Sequence, residues 1–551
     1  MNKTAIKNFA IWARNKLIAS CEQKALMVGI TEEGIADKLA VSTGDTEFYD
    51  IGTSNPYSIS GKAIKQRKDL VKAINNRTEN GDYKSAFHSI MEEVAYTWFN
   101  RLIALRFMEV NGYLKDDMRI LSSVSEGKVE PDAVTNPFDW ELEFSDVERD
   151  HIIQMQNNNE MDELFRLLFI KECNALNGSL PYLFEKTEDY SEFLLSISVT
   201  DVEGVVYKLV HDIPEEDFNI EMGGQVEIIG WLYQYYNTEP KDKVFADLKK
   251  NIKVTKDKIP AATQLFTPDW IVRYIVENSL GRLWLEGHPS DGLKSNWRYF
   301  LDEAEQEPEV KAKLEELRQD RKNIQPEDIK VIDPCMGSGH ILVYAFDVLM
   351  DIYRENGYVD RDAAQSIIQN NLYGLDIDQR AFQLAYFAVM MKGRQYDRRM
   401  LTRNIEPNLC AIEESNGMID GDGNWIVDKS SEHYGAVVDL LEKFRDAKTY
   451  GSIINLGDIN LDEVNLYLYE QEVNQDNNLF AMADYSATKA VVEKLLHQAK
   501  IMGRKYDVVV TNPPYMGGSN MNPKLSEYVK RIILTVRVIY LRYSLKNALI
   551  I

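Results

Sequence analysis

The chain has 551 residues with 63 Lys and Arg against 87 Asp and Glu, a formal net charge of -24. That length sustains several domains and excludes a small scaffold held by metal or disulfides. The acidity argues against a uniformly basic nucleic-acid coat, although a basic cleft is compatible with such an average. The four cysteines, Cys21, Cys173, Cys335 and Cys410, show no CxxC spacing. Neither a zinc knuckle nor a disulfide framework is expected, and a reducing cytoplasm is the natural compartment.

The first residues, MNKTAIKNFAIWARNKLIA, are amphipathic and broken by charges. They do not read as a secretion signal or a membrane span. FHSIMEEVAYTWFNRLIALRFMEV from Phe87 to Val110 repeats apolar residues at helical spacing and is stopped by Asn111-Gly112. A long packed helix is predicted, with Arg101, Arg106 and Glu109 in solvated pairs rather than on DNA. Met161–Leu176 and Val226–Asn237 predict further helices, so residues 1–250 read as a mostly helical domain. The aromatics Trp231, Tyr233, Tyr235 and Tyr236 are dense in an apolar helix and are expected in a core rather than stacked on nucleic acid.

Residues 251–300 lead into a second domain, and the polar stretch 301–330 predicts an exposed charged helix, as a linker or an insertion. From VIDP at Val331 the texture changes to short apolar strands alternating with helices, the pattern of an open α/β, Rossmann-like sheet over 331–530. In KVIDPCMGSGHILVYAFDVLM a strand ends in Asp333, turns through Gly337 and Gly339, and enters a long apolar helix. Strand tips of this kind hold nucleoside ligands. Asp333 would suit a ligand with a cationic amino-acid moiety, and the glycines let backbone approach it closely. The order matches neither the dinucleotide fingerprint nor the phosphate loop. The next strand, NLYGLDID, ends in Asp376, placed to accept hydrogen bonds from two ribose hydroxyls. SIINLGDIN, Ser452 to Asn460, is expected as another short strand, with Asp458 beyond it facing an adenine amino group.

YDVVVTNPPYMG is the most specific feature. Pro513 and Pro514 rigidify the loop after a buried strand and remove amide donors beside Asn512. The Asn512 side-chain oxygen and a backbone carbonyl can accept both hydrogens of an exocyclic amine, while the Tyr515 ring stacks on the base that bears it. That arrangement fits methyl transfer from a sulfonium to an amino nitrogen, without a strong base.

TQLFTPDWIVRYIVENSLG, DPCMGSG, GLDID and NPPY together resemble the S-adenosylmethionine-dependent, amino-methylating DNA methyltransferases, and more closely the adenine-specific enzymes of bacteriophage exclusion (BREX) defence systems. The resemblance covers nearly the whole chain to about Lys530. It implies S-adenosyl-L-methionine as cofactor, with Phe266, Thr267 and Pro268 near its methionine part. Asp333, Cys335, Gly337 and Gly339 would line the turn at its carboxylate end, Asp376 would sit at the ribose and Asp458 at the adenine. Asn512, Pro513, Pro514 and Tyr515 would receive an adenine flipped from double-stranded DNA. N6-methyladenine, protecting host DNA, is the implied product, and other phage-defence proteins are the implied partners, with no membrane. Methylation of RNA or of a protein amide, and a non-catalytic binding fragment, remain alternatives.

Members of that family continue well beyond the NPPY loop, whereas 36 residues follow Tyr515 here. The last 21, RIILTVRVIYLRYSLKNALII, hold four bases and no acid. Shifted by one base, their codons can encode a run such as YPDSKSDLFAVFIEKC. The expectation is a frame-shifted, aberrant tail at 531–551 on a truncated methyltransferase core.

Overall fold

A computed structural model describes the chain except residues 79–81, 126, 187–188, 251, 256–257, 264–265, 474–481, 517, 519 and 533–551. The tail assigned as aberrant therefore lies almost wholly outside the described residues. Two compact units, Met1–Thr238 and Glu239–Ile551, divide the chain.

The first unit is built on α1 (Lys3–Leu26) and the 28-residue α3 (Tyr83–Val110), with α2 (Lys62–Arg77) between them. Two small antiparallel hairpins precede α2, β1 (Ile30–Thr31) with β2 (Gly34–Ile35) and β3 (Thr46–Tyr49) with β4 (Tyr57–Ser60). The helices α4 (Met161–Leu176) and α5 (Ile228–Tyr236) follow the periodicity of their sequences. Of the aromatic cluster, Tyr233 and Tyr236 are core residues, and the Tyr236 ring lies 4.7 Å from Tyr96 and 4.5 Å from Phe99. Trp231 and Tyr235 are partly exposed and stack on each other at 5.7 Å.

The expectation of solvated pairs on α3 is overturned. Arg106 and Glu109 form a buried ion pair at 2.8 Å, with side chains 1% and 0% exposed. Ser122 Oγ and the Leu121 amide donate to Glu109, while Arg106 also donates to Glu215 at 2.9 Å. Arg101 is buried too and donates to the carbonyls of Leu183 and Glu185. A buried charge persists only when its hydrogen-bonding capacity is met in this way. These residues knit later loops onto α3, so their role is structural.

The second unit opens with α6 (Asp269–Val276) and carries the charged helix α7 (Pro308–Arg321), which buries none of its residues. Its centre is a parallel sheet of β5 (Val331–Asp333), β6 (Leu372–Asp376), β7 (Asn408–Ala411) and β8 (Val508–Val509), in the order β7-β6-β5-β8. Right-handed crossovers require intervening helices, supplied in part by α8 (His340–Glu355) after β5 and α9 (Gln379–Tyr396) after β6. The strands are short and buried, as their unbroken apolar runs predict.

Ser452–Asn460 is not a strand. A 3-10 turn, Gly451–Ile453, leads into irregular chain, with Gly451 and Gly457 both at φ +62°. The Gly457 amide bonds back to Asn455 Oδ1 at 3.0 Å, which curls the backbone out of extended form. The sheet position beside β6 is filled instead by Asn408–Ala411, in register from Tyr373 opposite Asn408 to Asp376 opposite Ala411.

Among the described residues, no helix is long and apolar enough to cross a membrane, and no cluster of three or more acids, histidines or cysteines is placed to hold a metal ion.

Candidate functional site

Because the four strands are parallel, their carboxyl ends share one edge of the sheet. Asp333 ends β5, Asp376 ends β6 beside it, and Asn512 follows β8 on the other side of β5. The order β7-β6-β5-β8 reverses direction of growth next to β5, where α/β sheets form their ligand crevice.

Asp333 is 1% exposed. Its Oδ1 accepts from the Cys335 amide at 3.1 Å, while Oδ2 has no hydrogen-bond partner, the nearby Thr511 hydroxyl lying outside hydrogen-bonding geometry. Burial pushes its pKa up to about 7, against the pull of Thr511 and the Cys335 amide. Asp376 is also pushed up to about 7, chiefly by burial. Its two oxygens bridge the turns, Oδ2 accepting from Gly337 N and Oδ1 from Asp378 N, each at 2.8 Å. Asp378 in turn caps α9 through Arg380 N and pairs with the Arg380 side chain.

The glycine turn is held against both flanking elements. Met336 N bonds to Leu375 O at 3.0 Å. Gly339 has φ +83°, and a Cβ there would lie 3.0 Å from the Cα and Cβ of Ala385 on α9, so the close approach and the left-handed backbone both select glycine. Gly374 in β6 is equally constrained, since a Cβ would sit 2.5 Å from Met336 Sδ. Cys335 packs its sulfur 3.4 Å from Ser452 Oγ. Burial pushes its thiol up to about 12, which removes it as a nucleophile.

Phe266, Thr267 and Pro268 lie immediately before α6. The Phe266 ring stacks on His340, the first residue of α8, at 4.5 Å and 7° between planes. Thr267 is buried, and its Oγ1 accepts a hydrogen bond of 3.0 Å from Asn512 Nδ2. Pro513 is buried, Pro514 is partly exposed, and the Tyr515 ring is 55% exposed, open to a stacking partner. Met516 then turns into a small core with Ile453, Met521, Leu525 and Val529, the last two on α10 (Pro523–Ile532).

The structure thus joins the front segment to the NPPY loop, and the glycine turn to Asp376 and to the turn at Ser452. Asp458 stands apart: it is exposed, and among the described residues no hydrogen bond ties it to the rest. His340 and Ser452 are contacts that sequence reasoning missed. A histidine directly after the second glycine of the turn was a usable signal for the first, and the supposed strand concealed the second.

Two family models match: the Eco57I restriction-modification methylase over residues 370–537 and the MmeI DNA-methyltransferase domain over 303–427. The chain is 43% identical over 547 residues to the adenine-specific methyltransferase PglX of Lacticaseibacillus casei, covering 96% of this chain. The chain is a homologue of PglX. To the adenine-specific methyltransferase BrxX of Escherichia coli O9:H4 it is 37% identical over 562 residues, again 96% of this chain. It spans 44% of the length of each of these two relatives. The matches to PglX and BrxX include both units, and the methylase models fall on the sheet that carries the site.

Proposed function

We propose that this chain carries the cofactor pocket and target-amine loop of an adenine-specific DNA methyltransferase that forms N6-methyladenine as a host-protective mark in phage defence. The convergence of Asp333, Asp376 and Asn512 at one edge of three adjacent parallel strands carries this reading. The homology to PglX and BrxX supports adenine in DNA over an RNA base or a protein amide. Double-stranded DNA and other defence proteins are the partners that follow.

The residues present fit S-adenosyl-L-methionine. The open acceptor on buried Asp333 suits an ammonium, a carboxylate at the end of β6 suits ribose hydroxyls, and Gly337 and Gly339 leave backbone bare for close approach. When bound, the cofactor supplies an electrophilic methyl group on a sulfonium. Asn512 would accept hydrogen bonds from the target amine and so aim the nitrogen lone pair, and Tyr515 would hold the extruded base by its face. As the new N–C bond forms, the amine proton passes to water, so a general base is not required. Pro513, buried beneath the loop, keeps Asn512 at a fixed height above the sheet.

The test is methylation of adenine-containing DNA by the purified chain, read as N6-methyladenine by mass spectrometry, with Asn512→Ala as control. Wild-type product that vanishes in the variant supports the reading. Modified RNA or protein with unmodified DNA would redirect it, and cofactor binding without any product would make the chain a binding fragment.

A further inference from the structure

We propose that Thr267 is the positioning residue for the Asn512 amide, setting which edge of that amide meets the target base. The inference deepens the methyltransferase reading and rests on it. An asparagine amide is planar, with oxygen and nitrogen on opposite sides of Cγ and nearly the same size, so sterics alone select neither orientation. The difference is decisive for the chemistry. With Oδ1 toward the base, the amide accepts from the exocyclic amine; with Nδ2 toward it, two donors face each other and the lone pair is turned away.

Thr267 resolves this ambiguity. Its Oγ1 accepts from Asn512 Nδ2 at 3.0 Å across 245 residues of sequence. One amide edge is thereby committed to the protein, and the oxygen edge is directed elsewhere. Thr267 is itself 8% exposed and held from both sides. Phe266 before it is stacked on His340, which directly follows Gly339, and Pro268 after it leads into α6. The orientation of the target-binding amide is therefore set from the segment that borders the glycine turn, not from within the NPPY loop. The same contact links the cofactor side of the site to its base side.

The experiment uses the whole 551-residue chain and the variants Thr267→Val, Thr267→Ser, Asn512→Ala and Thr267→Val with Asn512→Ala. Valine keeps the shape and loses the acceptor; serine keeps the acceptor. Three readouts are taken: the thermal unfolding midpoint, the affinity for S-adenosylmethionine by calorimetry, and the single-turnover rate of methyl transfer to adenine in DNA. Thr267→Val is expected to leave cofactor affinity within about twofold while lowering the transfer rate roughly tenfold to 100-fold, as misorientation of one reacting partner does. Thr267→Ser restores the rate. In the unfolding cycle, the Asn512→Ala shift shrinks once Thr267 is valine, because the two residues share one interaction. Additive shifts in that cycle overturn the proposal, as does a serine variant as slow as valine, or a loss of cofactor affinity that accounts for the loss of rate. A wild-type chain that methylates nothing refutes the activity reading, and the unfolding cycle still decides whether Thr267 holds Asn512.

Discussion

Asn512 performs its task with a neutral side chain, so removing it should affect turnover rather than folding or cofactor binding. Asn512→Ala is expected to reduce methyl transfer by about 100-fold or more, the scale seen when one oriented polar group is deleted from a reaction centre. S-adenosylmethionine affinity should be nearly unchanged, as calorimetry would show. The acid pair behaves differently. Burial raises the pKa of Asp333 and of Asp376 to about 7, above the value of about 4 in an unfolded chain. Between those limits the folded chain binds more protons than the unfolded one, so without ligand its stability declines as pH rises from about 4 to about 7. A ligand with an ammonium group needs the ionised acids, so its affinity should fall as pH drops through 7, with proton release on binding near neutrality. Calorimetry in buffers of different ionisation heats measures that release, and Asp333→Asn should reduce it.

Among the glycines, Gly339 carries the sharpest prediction at this scale. Gly339→Ala meets both a φ of +83° and Ala385 at 3.0 Å, so a loss of about 1–3 kcal/mol is expected from backbone strain alone, read as a lower denaturation midpoint. This cost was foreseeable in outline from DPCMGSG. The contact that makes it specific, the flank of α9, was not, because Ala385 lies 46 residues away with nothing in the intervening sequence to mark it.

At the scale of elements, the strands with clear punctuation were readable and those without it were not. VID and NLYGLD end in acids before glycine or helix signals, and both are strands of the sheet. Asn408–Ala411 begins with a polar residue and carries no such mark, so it passed unnoticed, while SIINLG combined two isoleucines with an acid and was taken for the strand. Asx chemistry at Asn455 decided the matter locally. The interior of α3 misled for another reason: helical spacing shows which residues face each other, but not that Ser122, Leu121 and Glu215 return to cover Arg106 and Glu109. Replacing one member tests this. Arg106→Met leaves Glu109 buried without its cation and should cost about 3–5 kcal/mol in urea unfolding, whereas an exposed pair would have cost less than about 1.

For the whole molecule, the acidity of the chain has a clear reading. A net charge of -24 does not draw DNA to the surface at large, so recognition must come from a local cleft or from sequence outside this chain, which spans 44% of PglX and of BrxX. The two units are separately compact, and the cofactor site assigned here draws its residues entirely from the second, between Phe266 and Tyr515. Binding of S-adenosylmethionine therefore does not depend on DNA recognition, and it tests the central claim most directly. Equilibrium titration of the purified, folded chain at pH 8 should show saturable binding to one site, abolished or strongly weakened by Asp376→Ala and retained by Asn512→Ala. A folded chain that shows no saturable binding, or binds equally well with Asp376→Ala, would contradict the account.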